Sequence, residues 1–297
     1  MNSRAQIRLL PDGRRMHLQD GPIDLIVEAF GAPSEVEKAY RTACTRFETV
    51  LDELCSELAF LRQRCLPESE WPHGVIARRM MAAVVPYASE FFITPMAAVA
   101  GAVAEEILAG MRASAQLLRA YVNNGGDIAL HLAPGEKFVV GIVERPDRPS
   151  LFGTATVQAC DPIRGIATSG WGGRSFSLGI ADAVTVLADR AAAADAAATI
   201  IANAVDLPGH PAIIRVPACQ LAPDSDLADR PVTQAVGELS AAEVNQALRG
   251  GVEIAERLQQ IGLIRSAALK LQGETRVVGC IPELNPALVD ERGLVHA

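Results

Sequence analysis

Large aromatic side chains, clustered positive charge, paired cysteines and long apolar runs are all scarce in this sequence. Aromatics make up 4% of its 297 residues, and 27 Lys and Arg stand against 35 Asp and Glu, for a formal net charge of −8. Gripping a phosphate backbone without regard to sequence needs concentrated Lys and Arg, so nucleic acid is set aside as a partner. Cys44, Cys55, Cys65, Cys160, Cys219 and Cys280 form no CxxC pair and no zinc spacing, and reduced thiols are the expected state. No apolar leader core follows MNSRAQIRLL, and the longest apolar runs, such as Met96 to Ala104, stop at Glu105, far short of a membrane span. The expectation is a cytoplasmic protein outside the membrane. GxxxxGK[ST], GxGxxG, HExxH and GxSxG are also missing, and His17, His73, His131, His210 and His296 are scattered, so no nucleotide-fold, zincin or serine-hydrolase signature is available.

What is present is apolar bulk, 49% of the chain and much of it alanine, which suits helices lying close on a sheet. Ile7 to Leu10, Arg15 to Gln19 and Ile23 to Ala29 read as an antiparallel meander separated by Pro-Asp-Gly and Asp-Gly-Pro turns. Ser34 and Glu37 have the spacing of a capping box for a helix of about thirty residues ending before Pro67. Val75 to Val85 reads as a short helix, Phe91 to Thr94 as a brief strand, and Pro95 as the start of a helix over Met96 to Arg119. The strands Ala120 to Asn123, Ile128 to Leu132, Lys137 to Glu144, Gly153 to Cys160 and Ile163 to Thr168 are expected in one antiparallel sheet, continued by Ser177 to Ile180 and Ala183 to Leu187. An alanine-rich helix over Ala191 to Val205 follows, then a strand Ile213 to Val216 and a surface excursion Cys219 to Thr233. Ser240 with Glu243 caps a helix to about Ile261 interrupted at Gly250-Gly251, and Leu263 to Leu271 with Arg276 to Ile281 closes the chain as a hairpin. Hairpin-dominated strands with grouped long helices indicate an α+β fold with a largely antiparallel sheet, and no linker divides residues 1–297.

Three constellations carry polar chemistry. In Val122-Asn123-Asn124-Gly125-Gly126-Asp127-Ile128 the glycines either make a tight hairpin turn or let a ligand approach the backbone beside Asn124 and Asp127. Thr168-Ser169-Gly170-Trp171-Gly172-Gly173-Arg174 is either a glycine-rich turn with a half-buried Trp171 or a phosphate cradle in which Arg174 holds charge and Trp171 stacks on a planar base. On the alanine helix, Asp195, Thr199 and Asn203 recur at i, i+4 and i+8, with Asp206 close to the same row. Asp195 and Thr199 are hard oxygen donors suited to Mg²⁺, unless Thr199 bonds back to the Asp195 carbonyl and both face solvent.

In order and spacing, the Asn-Gly-Gly-Asp segment, Phe138 to Val143, Ala167-Thr168-Ser169-Gly170, Val184-Thr185-Val186 and Ala194-Asp195-Ala196-Ala197-Ala198-Thr199 resemble the ApbE superfamily, the FAD:protein FMN transferases. The likeness is strongest over 96–205 and closest to a short, uncharacterised ApbE-related branch. It implies a T-fold-like α+β domain with FAD between sheet and helices, Mg²⁺ at Asp195 and Thr199, and Gly125, Gly126, Asp127, Ser169 and Gly170 around the flavin nucleotide. With the residue reading, Asn124, Thr168 and Trp171 join that set.

The chain departs from those transferases where they carry Ser-His-x-x-Asp-Pro-x-Thr-Gly. Here the stretch is Phe176-Ser177-Leu178-Gly179-Ile180-Ala181-Asp182-Ala183, and Ala100-Gly101 replaces a Lys-Gly pair. No catalytic residue is assigned, and Arg174 and Asp182 are the polar candidates left in the region. Two readings stay open: a Mg²⁺-dependent FMN transferase or FAD-cleaving enzyme, or a non-catalytic flavin or nucleotide binder serving a cytoplasmic redox system. The acceptor protein is unassigned, and a homo-oligomer is compatible with either reading.

Overall fold

The computed structural model of the protein describes residues 4–143, 151–281 and 294–296. Its strands are β1 (Gln6–Leu9), β2 (Met16–Asp20), β3 (Ile23–Phe30), β4 (Arg119–Asn124), β5 (Asp127–Leu132), β6 (Lys137–Val143), β7 (Leu151–Gln158), β8 (Gly165–Ser169), β9 (Ala183–Ala188), β10 (Ile213–Pro217), β11 (Pro231–Val236), β12 (Ser266–Leu271), β13 (Glu274–Gly279) and β14 (Leu294–His296). The helices are α1 (Pro33–Ser56), α2 (Leu58–Leu61), α3 (Val75–Val84), α4 (Val99–Ser114), α5 (Ala191–Ala204), α6 (Ala218–Leu221) and α7 (Ala241–Gln260).

Nine strands in the order β1-β2-β3-β4-β5-β8-β9-β12-β13 form the main sheet, and every neighbouring pair in it is antiparallel. Period-two alternation sorts its side chains. Leu25, Val27, Val122, Ala129, Ala167, Val186 and Leu269 turn to the face covered by the helices. Tyr121, Ile128, Leu130, Ile166 and Leu187 turn to the other face and pack on Phe138, Val140 and Val157 of a small sheet ordered β14-β6-β7. The expected α+β class with a largely antiparallel sheet under long helices is therefore what the chain adopts. The expectation of one sheet through β4 to β9 is corrected: β6 and β7 leave it and fold across its face, and β5 pairs directly with β8. Glu144, the expected end of one of these strands, lies outside the described residues.

Local signals succeeded where a side chain could reach its own backbone. Ser240 accepts from Glu243 N–H, and Glu243 accepts from Ser240 N–H, closing the capping box of α7. At α1 the expected box is absent: Ala32 is the N-cap and Pro33 occupies the first turn. Helix α1 is 24 residues long and stops at a break before α2. Helix α4 ends at Ser114 rather than Arg119, its start being a separate 3₁₀ turn over Pro95–Ala98. The expected strands at Phe91 to Thr94 and Ser177 to Ile180 are irregular segments. Gly250 and Gly251 do not interrupt α7. A Cβ on Gly250 would stand 2.6 Å from Ala204 O, and one on Gly251 2.4 Å from Val205 Cγ2, so the pair lets α7 rest on the end of α5. The expected strand at Ile213 to Val216 is β10, and the expected surface excursion Cys219 to Thr233 carries order of its own, α6 near its start and β11, paired with β10, at its end.

Candidate functional site

Helices α4 and α5 cross where Gly101 meets the first turn of α5, and a Cβ there would stand 2.4 Å from Ala191 O. Each helix sends a carboxylate to the other's N-terminus. Asp195 Oδ2 accepts from Gly101 N–H at 3.0 Å, while Glu105 Oε1 accepts from Ala192 N–H at 2.8 Å. First-turn N–H groups have no partner within their own helix and carry partial positive charge, so each carboxylate both satisfies a donor and meets a favourable field. The polar stripe on the alanine helix thus finds a partner in the backbone of α4. Its other members disperse: Asn203 Oδ1 accepts from Leu178 N–H at 2.9 Å, and Asp206 pairs with Arg215. Thr199 is half-buried and its hydroxyl makes no hydrogen bond among the described residues, so the side-chain back-bond to Asp195 is not formed.

The glycine hairpin comes to the same place. Gly125 and Gly126 turn at φ +66° and +112°, Gly126 N–H donates to Asn123 Oδ1 at 2.8 Å, and Asn124 Nδ2 donates to Ala100 O at 3.2 Å. The segment is therefore the tight hairpin of the first reading, and its tip is docked on the start of α4. Asp127, just past the tip, accepts from Thr168 N–H across the β5–β8 junction and lies in the field of Asp195. Burial pushes the Asp127 carboxyl well above the usual carboxylate range, and the nearby Asp195 pushes it further, against the Thr168 hydrogen bond and the charge of Arg174. Asp195 is raised by burial to about 7, with Gly101 and Ala100 N–H groups opposing the rise. The sequence spacing from 127 to 195 carries no hint of this pairing; the β5–β8 adjacency and the packing of α5 over those strands create it.

The remaining wall is the turn after β8. Thr168 Oγ1 and Thr185 Oγ1 share a hydrogen bond of 2.9 Å, Ser169 is half-buried, and a Cβ on Gly170 would stand 2.3 Å from Asp182 O. Trp171 is half-buried, its Nε1 donating to Asp182 Oδ1 at 3.2 Å. Asp182 Oδ2 also accepts from Gln272 N–H at 2.6 Å, which makes that carboxylate a clasp between the turn and the last hairpin. Arg174 is exposed and lies over the glycine turn, its Nη2 1.6 Å from where a Gly125 Cβ would be. Its guanidinium makes no ion pair among the described residues.

Asn124, Gly125, Asp127, Thr168, Arg174 and Asp195 are thus connected contact by contact around the start of α4. The donor set for a cation is two carboxyls and hydroxyl or carbonyl oxygens, the hard-oxygen chemistry that suits Mg²⁺. No group of three or more His, Cys, Asp or Glu placed to hold a metal ion occurs among the described residues, so a cation here would take further oxygens from backbone, ligand or water.

The architecture and this cluster define a mixed α/β protein with a carboxylate pair under a glycine hairpin. The family model described as AbpE bacteria matches residues 7–277, and the chain belongs to that family, which bears out the ApbE resemblance. Similar curated proteins are a UPF0280 protein of Methanopyrus kandleri, 42% identical over 129 residues (43% of this chain, 48% of that one), and one of Methanosarcina acetivorans, 38% identical over 187 residues (62% and 70%). The chain spans about half the length of the first of these relatives. Among solved structures it is similar to the apo form of Pseudomonas stutzeri flavinyl transferase ApbE, at a TM-score of 0.44 and 11% identity over 94% of this chain and 95% of that one. A likeness of that size transfers no residue role. No helix among the described residues is long and apolar enough to cross a membrane.

Proposed function

We propose that this protein binds a flavin dinucleotide together with Mg²⁺ at the junction of the β4–β5 hairpin, the turn after β8 and the α4–α5 crossing. The observation that carries this reading is the pair Asp127 and Asp195, two carboxyls whose ionised forms burial disfavours and whose charges repel. A divalent cation offsets both penalties at once. Asp127, Asp195 and Thr199 would hold it, and its chemistry there would be to neutralise charge on a diphosphate. Arg174, exposed above Gly125 and in no ion pair among the described residues, suits the outer phosphate oxygens, and Trp171 suits a planar ring.

Family membership and this oxygen-donor site support a Mg²⁺-dependent reaction at the FAD diphosphate, either FMN transfer to an acceptor protein or hydrolysis. A specific observation favours a second reading, a flavin binder without transferase activity that serves a cytoplasmic redox system. The 176–183 segment has Leu178 near the expected histidine position, and Asp182 is engaged by Trp171 and Gln272 rather than free to act as a base. Incubation with FAD and Mg²⁺, followed by chromatography for FMN and AMP, separates them. Turnover supports the enzyme; saturable binding without products supports the binder. Absence of FAD binding with Mg²⁺ present defeats both.

A further inference from the structure

Along α4 beyond Gly101, from Glu105 to Arg112, the helix borders a place where four arginines gather in a chain whose net charge is −8. Arg79 of α3, Arg112 of α4, Arg164 just before β8 and Arg190 at the start of α5 line a cleft of about 370 Å³, with His131 of β5 in its wall. The cleft has a structural origin. Strand β5 pairs with β8 only through Ile128–Ile166 and Ala129–Gly165, and beyond Leu130, whose N–H donates to Arg164 O at 2.9 Å, the two strands part. Small-ligand sites occupy roughly 300–1,000 Å³, so this volume suits a compact molecule.

The acidic groups in the lining are Glu105 and Asp189. Glu105 is fully engaged: Oε1 takes Ala192 N–H, and Oε2 stands 3.2 Å from Arg190 Nη2 and 3.4 Å from Arg79 Nη1. Glu106 supplies Arg79 with a second carboxylate at 3.1 Å. These two acids compensate Arg79 and Arg190. Arg164 is held by the carbonyl oxygens of Ala159, Asp161 and Ile163 at 2.6–2.7 Å, which orient its guanidinium without neutralising it. Arg112 is exposed, and its guanidinium makes no hydrogen bond or ion pair among the described residues. Asp189 is exposed and in no ion pair among the described residues, so four arginines stand against three carboxylates and positive charge remains in excess, with Arg164 fixed in place and Arg112 free to close on a ligand. His131 registers the imbalance: burial lowers its pKa first, and Arg112 and Arg164 lower it further. With its Nε2 3.1 Å from Leu117 O, the neutral ring carries its proton there and leaves Nδ1 as an acceptor.

We propose that this cleft binds a small phosphorylated ligand, with Arg164 as a preorganised anchor and Arg112 as a closing contact. Guanidinium groups fit phosphate through paired N–H donors, and a prepositioned one loses little freedom on binding. The site is separate from the carboxylate pair and requires neither flavin nor Mg²⁺, so its test is independent of the function proposed above. Inorganic phosphate is titrated into the full-length protein in the presence of a chelator, with calorimetry for affinity and the His131 ring resonances as the local reporter. The expected result is saturable binding of one phosphate with a shift of the His131 signals. Affinity should fall about tenfold or more in Arg112→Glu and stay at the parent value in Arg174→Ala. Arg112→Gln, with a smaller loss, serves if the charge reversal fails to fold. Absence of phosphate binding, or affinity lost in Arg174→Ala and kept in Arg112→Glu, overturns the assignment. Tighter binding of citrate than of phosphate overturns the phosphorylated class.

Discussion

The two sides of the α4–α5 crossing are built from the same device and carry opposite charge. At one, Asp195 of α5 caps α4 beside Asp127, and among the described residues neither carboxyl is in an ion pair, the charge of Arg174 acting on Asp127 from further away. At the other, Glu105 of α4 caps α5 among four arginines and is relieved by two of them. A carboxylate on a helix N-terminus is thus no functional sign by itself, since both sides have one. What differs is the compensation: a second acid crowds Asp195, whereas Glu105 is neutralised in place. A buried charge left uncompensated is either a cost the fold bears or a place for a counter-ion.

The largest effect should come from removing the contact both sides share. Gly101→Ala places a methyl 2.4 Å from Ala191 O, forces the helices apart and should cost about 3 kcal/mol in chemical denaturation. A loss near zero would mean that the crossing is loose and that the two sides are not geometrically linked.

Asp195→Asn acts on one side alone. It keeps an acceptor for Gly101 N–H while deleting the charge, and should weaken Mg²⁺-dependent FAD binding on the order of a hundredfold. The sign of its pH dependence follows from proton counting. The folded chain holds this carboxyl near 7 and the unfolded chain near 3.8, so the native state binds more protons between those values. Stability of the cation-free protein should then fall as pH rises from about 4 to about 7, and Asp195→Asn should flatten that slope. Equal slopes in parent and variant would remove Asp195 from the carboxylate pair.

Glu105→Gln tests the other side. It leaves Ala192 N–H an acceptor but strips Arg79 and Arg190 of their shared carboxylate, for an expected loss of about 1–2 kcal/mol with FAD binding preserved. The smallest effect should come from a pair remote from both. Hydrogen bonds from Ser240 and His210 hold Glu243 down to about 2, so its contribution is complete above the unfolded value of 4.5 and fades as pH falls through 2. Glu243→Gln should lower the melting temperature slightly at neutral pH, and the parent–variant gap should narrow from about pH 4.5 and close below pH 2.

Much of this was legible in the order of residues, for reasons that differ by element. Hairpins and the Ser240–Glu243 box were readable because their determinants lie within a few positions of each other. The glycine hairpin and Asp195 were readable as unusual, the one for its turn chemistry and the other as a charge amid alanines. Their meeting was not, because the partner of Asp195 is a backbone N–H at Gly101, and any residue type supplies one. The departure of β6 and β7 was equally hidden, since alternation of apolar residues is the same in whichever sheet a strand joins. At α1, Pro33 displaced the Ser34–Glu37 box, and Glu35 instead accepts from Gln116 N–H at 2.7 Å.

The placement of β3 against β4 bears on how the chain is made as well as on how it stands. Ala29 pairs with Ala120 across the whole run of α1 to α4, whereas β1–β2, β2–β3, β4–β5 and β12–β13 close locally. During synthesis the first three strands and α1 emerge with one long edge of β3 unpaired. That edge stays exposed until the ribosome has released the segment ending at Asn124. Pairing so distant in sequence is slow to form, and an open apolar edge in the interval invites association. The vulnerable species for this protein is therefore a nascent chain that has passed β3 but not yet released Asn124, and β3 is the segment a chaperone would have to shield.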